Sequence, residues 1–474
     1  MLLFFPWSVL AQTNPARPDT LVFSAQTFYE IIRNQHPLVK QADLFGESAR
    51  QVLMQARGGF DPKLVSNYDR KEFGSDLYYN QWQNKLSVPV WLGGVDLFAS
   101  YDRNDPRGKY FNPADRTPES GLAGLGVTVP IGQGLLIDAR RNAVQQARLA
   151  RTLAEADRLA LINQTLFEAA NSYWTWFLAH QQRRLLTEGS DLAYVRFVAV
   201  RQRALLGDVA TIDTTEALIT FQERLVMTQQ ATVEEQNARL QVSTFLWNAD
   251  GAPVELPAQA VPQQPSLLPP PDSTLQALLD QAAQQHPELL RLDTEIRQLT
   301  LEERFRRAMI QPQIALTATL LSDGAVASGG PDRSSEYAFR TQNHKVGLDV
   351  VFPLFLRKER GKFREVQIKN QQTRLTRQQT GRDIVNTVQS TYNQLLALAQ
   401  QVVLQQQTVR NQQTLVLAEQ QKFDLGESTL FLVNTRETKL IELRVKGEEL
   451  KANYQKAVAE LYFAAGTSTN AVVD

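Results

Sequence analysis

The chain lacks cysteine, which excludes disulfides, zinc–thiolate sites, thiol catalysis and a lipid anchor on an N-terminal cysteine. It also lacks an excess of either charge, because fifty basic residues balance fifty acidic ones. A net charge of zero argues against general nucleic-acid binding, which needs a basic surface. Beyond the N-terminus, no stretch offers the ~20 consecutive apolar residues of a transmembrane helix.

Residues 1–11 form an apolar run that ends in small residues, which is typical of a secretory signal peptide cleaved after Ala11. The positively charged region that normally precedes such a run is missing. An exported chain without a membrane helix is periplasmic, extracellular or an outer-membrane β-barrel. Only the barrel leaves a weak sequence signal that repeats every two residues.

Four landmarks occur twice in the same order, which indicates an internal duplication. The paired landmarks are His36-Pro37 with His286-Pro287, Pro62 with Pro312, Pro130 with Pro353, and Leu206-Gly207-Asp208 with Leu425-Gly426-Glu427. Each half therefore reads helix, strand, strand, very long helix, glycine turn, helix. We predict a first repeat over 12–248, a proline-rich linker over 249–272, a second repeat over 273–466, and a tail over 467–474.

Two segments, 134–206 and 354–424, contain no proline and would each extend roughly 100 Å as helices. Apolar residues recur every seven positions in both, a spacing that winds helices left-handed around one another. Glutamine occupies many interleaved positions, which suits either helices around a wet interior or a solvated coiled-coil face. The glycine turns predict long helical hairpins over 134–247 and 354–466.

Apolar residues alternate with polar or small ones in two regions, about 60–131 and about 311–353, as transmembrane barrel strands require. Aromatic residues crowd the first region, as in membrane-interface girdles, although a soluble β-sandwich would also explain the pattern. One chain offers too few strands to close a barrel, so several copies would have to share one. Residues 76–120 of the first repeat fit either an added hairpin or an external loop.

Taken in order, these segments resemble the TolC-like outer membrane efflux protein (outer membrane factor) family. The resemblance covers about residues 24–466 and includes the strand exits VTVPIGQGLLIDARRN and VVFPLFLRKERGKF, the segment AANSYWTWFLA and the turns LLGDVATID and FDLGESTLFLV. It implies a mainly α fold with a long-helix α-barrel. It also implies a twelve-strand β-barrel shared by a trimer, with about four strands per chain.

The same resemblance implies a passive outer-membrane channel of a tripartite efflux or type I secretion system, which extends into the periplasm. It implies a homotrimer in outer-membrane lipid that works with a periplasmic adaptor (membrane fusion) protein and an inner-membrane pump or transporter. The residues alone leave drug, metal, small-molecule and protein substrates open.

Family members narrow the channel at the helix tips beyond the glycine turns, often with acidic rings. The corresponding constriction candidates in this chain are Asp213, Glu216, Asp424, Glu427 and Leu432. Leu432 stands where the family's acidic constriction would fall, so a hydrophobic closure by dewetting is an equal alternative. The tips that would meet the adaptor are Leu206, Gly207, Asp208 and Val209, together with Leu425, Gly426, Glu427 and Ser428.

Enzymatic chemistry has no support in the sequence. Gly124-Leu125-Gly126 and Gly132-Gln133-Gly134 do not complete a dinucleotide-binding pattern, and no nucleophile–base constellation is present. We therefore expect no catalytic residue, cofactor or metal site. The competing hypothesis is a periplasmic coiled-coil scaffold or interaction protein without a pore.

Overall fold

The computed structural model describes residues 21–267, 271, 273–323 and 339–467, apart from residues 106, 109–115 and 119. The predicted signal peptide and residues 468–474 of the predicted tail lie outside the described residues. The chain is mainly helical, at 66%. Among the described residues, no helix combines the length and apolarity needed to cross a bilayer.

Eight α-helices in the described part of the chain divide equally between the two halves. The first four are α1 (Ala25–Gln35), α2 (Pro37–Arg57), α3 (Ala139–Leu205) and α4 (Thr211–Ser243). The second four are α5 (Ser273–Gln285), α6 (Pro287–Ala308), α7 (Arg357–Asp424) and α8 (Leu430–Ala464). Helices α3 and α7 thus lie within the two proline-free segments that predict long helices.

Helix α3 begins five residues later than the proline-free segment predicts, at Ala139. Gly132 and Gly134 adopt φ angles of 103° and 97°, which right-handed helices exclude. The Asp138 carboxylate then accepts a 2.8 Å hydrogen bond from the Arg141 backbone N–H, which caps the first turn. Local backbone conformation and capping therefore fix this helix end.

Eight strands occur in the described residues. They are β1 (Leu21–Phe23), β2 (Lys63–Phe73), β3 (Asp76–Pro89), β4 (Asp96–Asn104), β5 (Leu122–Pro130), β6 (Ala260–Pro262), β7 (Gln313–Asp323) and β8 (His344–Val351). Strands β1 and β6 form a small parallel pair. The other six form one sheet in the order β2-β3-β4-β5-β7-β8, with every neighbouring pair antiparallel.

This sheet corrects the expectation of about four strands per chain, because six strands are hydrogen-bonded together. The difference lies within residues 76–120, whose first part forms β3 and β4 rather than an external loop alone. Gly93 and Gly94 adopt φ angles of 66° and 67° between those strands and allow the chain to reverse there. Within the described ranges, the second repeat contributes two strands to this sheet and the first contributes four.

The chain divides into two compact units. One unit comprises residues 1–43, 159–286 and 382–474, and its described part contains both glycine turns, two large apolar clusters and a small one. Trp176, Tyr173 and Phe28 are fully buried in the first cluster, and Val388 and Leu395 are buried in the second. The other unit comprises residues 44–158 and 287–381 and contains the six-stranded sheet.

Candidate constriction and docking tips

Each long helix ends in the same glycine turn. In the first turn, Gly207 has a φ of 84°, and the Asp208 N–H donates to the Arg203 carbonyl at 2.9 Å. In the second, Gly426 has a φ of 77°, and the Glu427 N–H donates to the Lys422 carbonyl at 2.8 Å. This left-handed cap with a bond across the last turn is the Schellman motif, and it favours glycine because other residues are strained at positive φ.

The two turns expose apolar side chains beside polar ones. Leu206 is 78% exposed and Leu425 is 75% exposed. Asp208 and Glu427, which follow the glycines, are also exposed. Exposed leucines at a tip rimmed by acidic residues are typical of a protein-binding surface.

Not every predicted docking residue faces outward. Val209 packs against a small apolar cluster formed by Val200, Ala217 and Leu430, which joins the two hairpins behind their tips. The Ser428 hydroxyl bonds to the Glu419 carboxylate on α7. The structure thus places Val209 and Ser428 where they stabilise the turns, while the two leucines remain available.

The predicted constriction residues fall into two groups. Asp213 and Glu216 are partly buried in the first turns of α4, one helical turn apart. Glu216 accepts a 3.4 Å hydrogen bond from the Asn434 amide on α8, so its carboxylate bridges the two hairpins. Glu216 therefore has a partner within its own chain, which the sequence did not indicate.

The second group lies around the second turn. Asp424 is exposed and accepts a 3.2 Å hydrogen bond from the Gln420 amide. Glu427 is exposed, and Leu432 is 40% exposed at the start of α8. The Leu432 backbone N–H donates to the Thr429 hydroxyl, which caps α8. The second tip therefore exposes two carboxylates, Asp424 and Glu427, and the apolar side chain of Leu432, so both the acidic and the hydrophobic constriction stay open as hypotheses.

Sequence reasoning missed a buried ionic network behind the tips. Arg196 on α3 and Arg224 on α4 both contact Glu437 on α8, at 2.6 Å and 3.3 Å. Glu437 is 4% exposed and Arg224 is 5% exposed. Burial lowers the pKa of Arg224, and the negative charge and hydrogen bonds of Glu437 oppose that shift.

The network extends through amide and hydroxyl groups to all four hairpin helices. Asn434 on α8 accepts from Arg196 at 3.2 Å and donates to Thr220 on α4 at 3.3 Å. Arg196 also donates to the Gln420 side chain on α7 at 3.4 Å. Separating the hairpins would leave buried charges without partners, so the network holds them together.

One sequence signal could have revealed these residues. Positions equally far from Gly207 and Gly426 are repeat counterparts, and the counterparts of Arg196, Arg224 and Glu437 are Leu415, Leu443 and Leu218. Where one repeat has a charged residue and the other has leucine, the two positions have different surroundings in the folded protein. Which charges meet depends on helix packing, and the sequence alone did not pair them.

The glycine pairs considered for cofactor binding have structural roles. Gly124 and Gly126 lie in β5, and side chains of β4 cover them: Ser100 lies over the first and Phe98 over the second. Gly132 and Gly134 shape the turn before α3. Within the described residues, no group of three or more histidine, aspartate or glutamate side chains is placed to hold a metal ion.

Comparison with known proteins gives three kinds of match. The model of the family "Outer membrane efflux protein" matches residues 278–467. The alkaline protease secretion protein AprF of Pseudomonas aeruginosa is 24% identical over 466 residues, covering 95% of this chain and 86% of that protein.

Two solved structures have the same fold. The CmeC outer membrane channel of Campylobacter jejuni gives a TM-score of 0.66 at 12% identity and covers 99% of this chain and 95% of its own. The open state of the MtrE outer membrane channel of Neisseria gonorrhoeae gives a TM-score of 0.67 at 15% identity, with coverages of 94% and 89%. The fold similarity therefore spans both repeats, beyond the region matched by the family model.

Proposed function

We propose that this chain, whose residues 278–467 match the model of the outer membrane efflux protein family, works as an outer-membrane channel for efflux or secretion. The channel resides in the outer membrane and extends into the periplasm. Its family consists of transport ducts rather than enzymes. The observation that carries the proposal is that one chain combines an exposed apolar sheet face with two long helical hairpins.

The sheet supports a membrane role because it presents apolar side chains that the described residues of the chain leave exposed. Leu64 is 72% exposed, Leu125 is 48% exposed and Leu348 is 63% exposed. An open sheet edge cannot lie in lipid, since its unpaired N–H and C=O groups would lack partners. We therefore propose that three copies share one closed barrel and that their helical hairpins line a common duct.

The helix tips are the proposed gate. Asp213 and Glu216 would present rings of carboxylates, and Asp424, Glu427 and Leu432 would narrow the duct from the second hairpin. The network around Glu437 supports this proposal, because its buried ion pairs join the two hairpins of a chain. When the tips move apart, these ion pairs either stay intact, so that the hairpins move together, or break. The duct itself would be passive, with energy supplied by an inner-membrane pump or transporter.

The proposed docking surface for a periplasmic adaptor is the pair of glycine turns, 206–209 and 425–428. The exposed Leu206 and Leu425 would supply the apolar contact, and Asp208 and Glu427 the polar rim. Replacing both leucines with serine should weaken adaptor binding without changing the amount of channel in the membrane. Co-purification of the channel with its adaptor, before and after the change, measures this effect.

The test of the channel function combines fractionation with electrical recording. The protein should be in the outer-membrane fraction, have the mass of three chains after bound detergent is subtracted, and conduct ions in a planar bilayer. The double change Asp213→Ala and Glu216→Ala should reduce the preference for cations. A soluble periplasmic monomer would reject the channel and favour the scaffold, whereas an unaltered selectivity would reject only the acidic rings.

A further inference from the structure

The hairpin of β3 and β4 in the first repeat belongs to the same apolar sheet face as the other strands. One row of directly opposed residues across the sheet is Leu64, Leu86, Ala99, Leu125 and Leu320, and it ends at His344 on β8. The next row is Val88, Leu97, Val127, Ala318 and Val346. Both rows cross the hairpin without interruption, so its two strands carry the same lipid-compatible surface as β5, β7 and β8.

The opposite face of the hairpin is mainly polar. Lys85 and Ser87 alternate with Leu86 along β3, and Asp96, Ser100 and Asp102 share this side of β4 with Phe98. On the same face, the Thr128 and Thr317 hydroxyls lie 3.2 Å apart between β5 and β7. An apolar face backed by a polar face is the pattern of a strand between lipid and a wet lumen.

Packing within the sheet also ties the hairpin to β5. The Phe98 ring lies over Gly126 and the Ser100 hydroxyl lies over Gly124, so any larger residue in β5 would meet β4 side chains. Gly347 of β8, the repeat counterpart of Gly124 when the strands are aligned on Pro130 and Pro353, has open space above it. The two glycines of β5 therefore leave the space that the Phe98 and Ser100 side chains of β4 fill.

Aromatic residues mark one end of the apolar face on β2, β3 and β4. Tyr68 stands opposite Trp82, and the Trp82 ring lies 6.1 Å from the Tyr101 ring. The Trp82 indole N–H donates to the Ser66 hydroxyl at 3.1 Å. Amphipathic rings above an apolar band are typical of the membrane–water interface, which indicates that β2, β3 and β4 reach it too.

The two edges of the sheet are complementary to each other. Because all five neighbouring pairs are antiparallel, β2 and β8 at opposite edges run in opposite directions. A second copy can therefore pair its β8 with β2 of the first copy and continue the antiparallel alternation. An even number of strands per chain is what allows such a ring to close.

From these observations we propose that the barrel of this protein has eighteen strands, six from each of three copies, with β2 of one copy paired to β8 of the next. This inference rests on the proposed shared barrel and replaces the twelve-strand count that the family resemblance implies. Barrel diameter grows roughly in proportion to strand number, and barrels of about 16–18 strands leave an aqueous channel. The added hairpin thus widens the outer exit of the duct.

Disulfide cross-linking can test the strand pairing, because the natural chain contains no cysteine. Each variant carries two cysteines in the same chain. One replaces Val346, Leu348 or Val350 on the apolar face of β8, and the other replaces Leu64, Ser66 or Tyr68 on β2. A parallel series combines the β8 positions with Leu97, Ala99 and Tyr101 on β4, the edge of a four-strand alternative. The pair Leu316→Cys and Leu348→Cys, directly opposed within one chain, controls for oxidation.

The eighteen-strand barrel predicts covalently linked dimers and trimers from at least one β2–β8 pair and none from the β4–β8 series. Links from β4 to β8, or a trimer in which no β2–β8 pair links, would overturn the inference while leaving the shared barrel intact. A detergent-solubilised monomer with no links of either kind would instead reject the proposed shared barrel.

Lipid exposure of the hairpin provides an independent measurement. Bimane is attached to Leu86→Cys or, as a matched control on the opposite face, to Lys85→Cys, and each variant is reconstituted in dibromostearoyl phosphatidylcholine vesicles. Bromine quenching should be at least about threefold stronger at position 86 than at position 85, since only the former faces lipid in the proposed barrel. Equal, weak quenching at both positions would place the hairpin outside the membrane and overturn the inference.

Discussion

The two helical hairpins of this chain follow the same backbone plan but bury different side chains at equivalent positions. Counterparts are defined by equal distance from Gly207 and Gly426, the glycines of the two turns. The first hairpin holds an ionic set, His180, Arg183 and Glu235, and the counterparts in the second are Ala399, Val402 and Tyr454. Those counterparts pack in an apolar cluster.

The difference shows which features the duplicated plan requires and which it does not. Turn geometry and helix length recur, because they depend on glycine, capping and the absence of proline. The interior between helices can be ionic or apolar, provided that every buried charge has a partner. Exchanging residues between counterparts therefore tests each interior separately.

The largest effect is expected at Glu437. Changing Glu437→Leu, its counterpart residue, should lower the free energy of unfolding by about 3–5 kcal/mol, because Arg196 and Arg224 would stay buried without their carboxylate. Thermal unfolding in detergent measures the loss. The exposed Glu442→Leu on the same helix is the control, expected to stay within about 0.5 kcal/mol of the parent.

A triple exchange sharpens this result. Adding Arg196→Leu and Arg224→Leu to Glu437→Leu gives the network the leucines of the other repeat, and most of the lost stability should return. If the triple variant were less stable than the single one, the arginines would have stabilising contacts beyond Glu437. The 3.1 Å bond from Arg224 to the Gly189 carbonyl would then be the first such contact to examine.

The second effect concerns two tyrosines at counterpart positions, Tyr173 and Tyr392. The Tyr173 hydroxyl donates to the Phe23 carbonyl at 2.6 Å and accepts from the Gln263 N–H at 3.1 Å, whereas the buried Tyr392 hydroxyl has no hydrogen-bond partner among the described residues. Tyr173→Phe should therefore cost about 1–3 kcal/mol, since two backbone groups lose their partner. Tyr392→Phe should be neutral or stabilising.

The same unfolding measurement applied to both variants decides the matter. Equal losses would show that Tyr392 also has a partner when the copies assemble. The Tyr173 hydroxyl is also shielded from water, and this burial raises its pKa to about 12. The tyrosine should accordingly resist ionisation in an alkaline titration followed by absorbance.

The third effect compares two strand glycines, Gly126 in β5 and Gly347 in β8. Gly126→Ala should cost about 1–3 kcal/mol because the new methyl group meets the Phe98 ring, whereas Gly347→Ala adds a methyl group in open space. The temperature at which the assembled protein dissociates, followed by gel electrophoresis, ranks the two variants. A larger loss at Gly347 would indicate that another copy covers this face of β8.

Much of this architecture was accessible from the sequence. Gly207 and Gly426 predicted the turns, the proline-free segments predicted α3 and α7, and the alternation around Leu316 predicted β7. The sequence left residues 76–120 open between an added hairpin and an external loop. The structure shows β3 and β4 there, and the Phe98 ring of β4 packs over Gly126 of β5, a contact that no local pattern specifies. The pairing of Arg196 with Glu437 joins helices more than 200 residues apart, which no local pattern specifies.

The smallest effect is a pH dependence at Glu235 of the first hairpin, whose counterpart in the second hairpin is Tyr454. Burial raises the pKa of Glu235, but the bond with His180 at 2.8 Å and the charge of Arg183 outweigh it, and the net pKa is lowered. A carboxylate whose pKa is lower when folded contributes stability above the ordinary value of 4.5 and loses it as the pH falls below that value. Acid should therefore weaken the first hairpin through this group.

The change Glu235→Gln isolates that contribution, because glutamine keeps the shape and does not titrate. The parent should be the more stable at pH 7, and the difference should shrink as the pH is lowered from about 5.5 towards the lowered pKa of the carboxylate. Unfolding midpoints of both proteins across this range provide the measurement. A difference that stayed constant with pH would mean that Glu235 acts through packing alone, and the two hairpins would then differ in chemistry without differing in their response to acid.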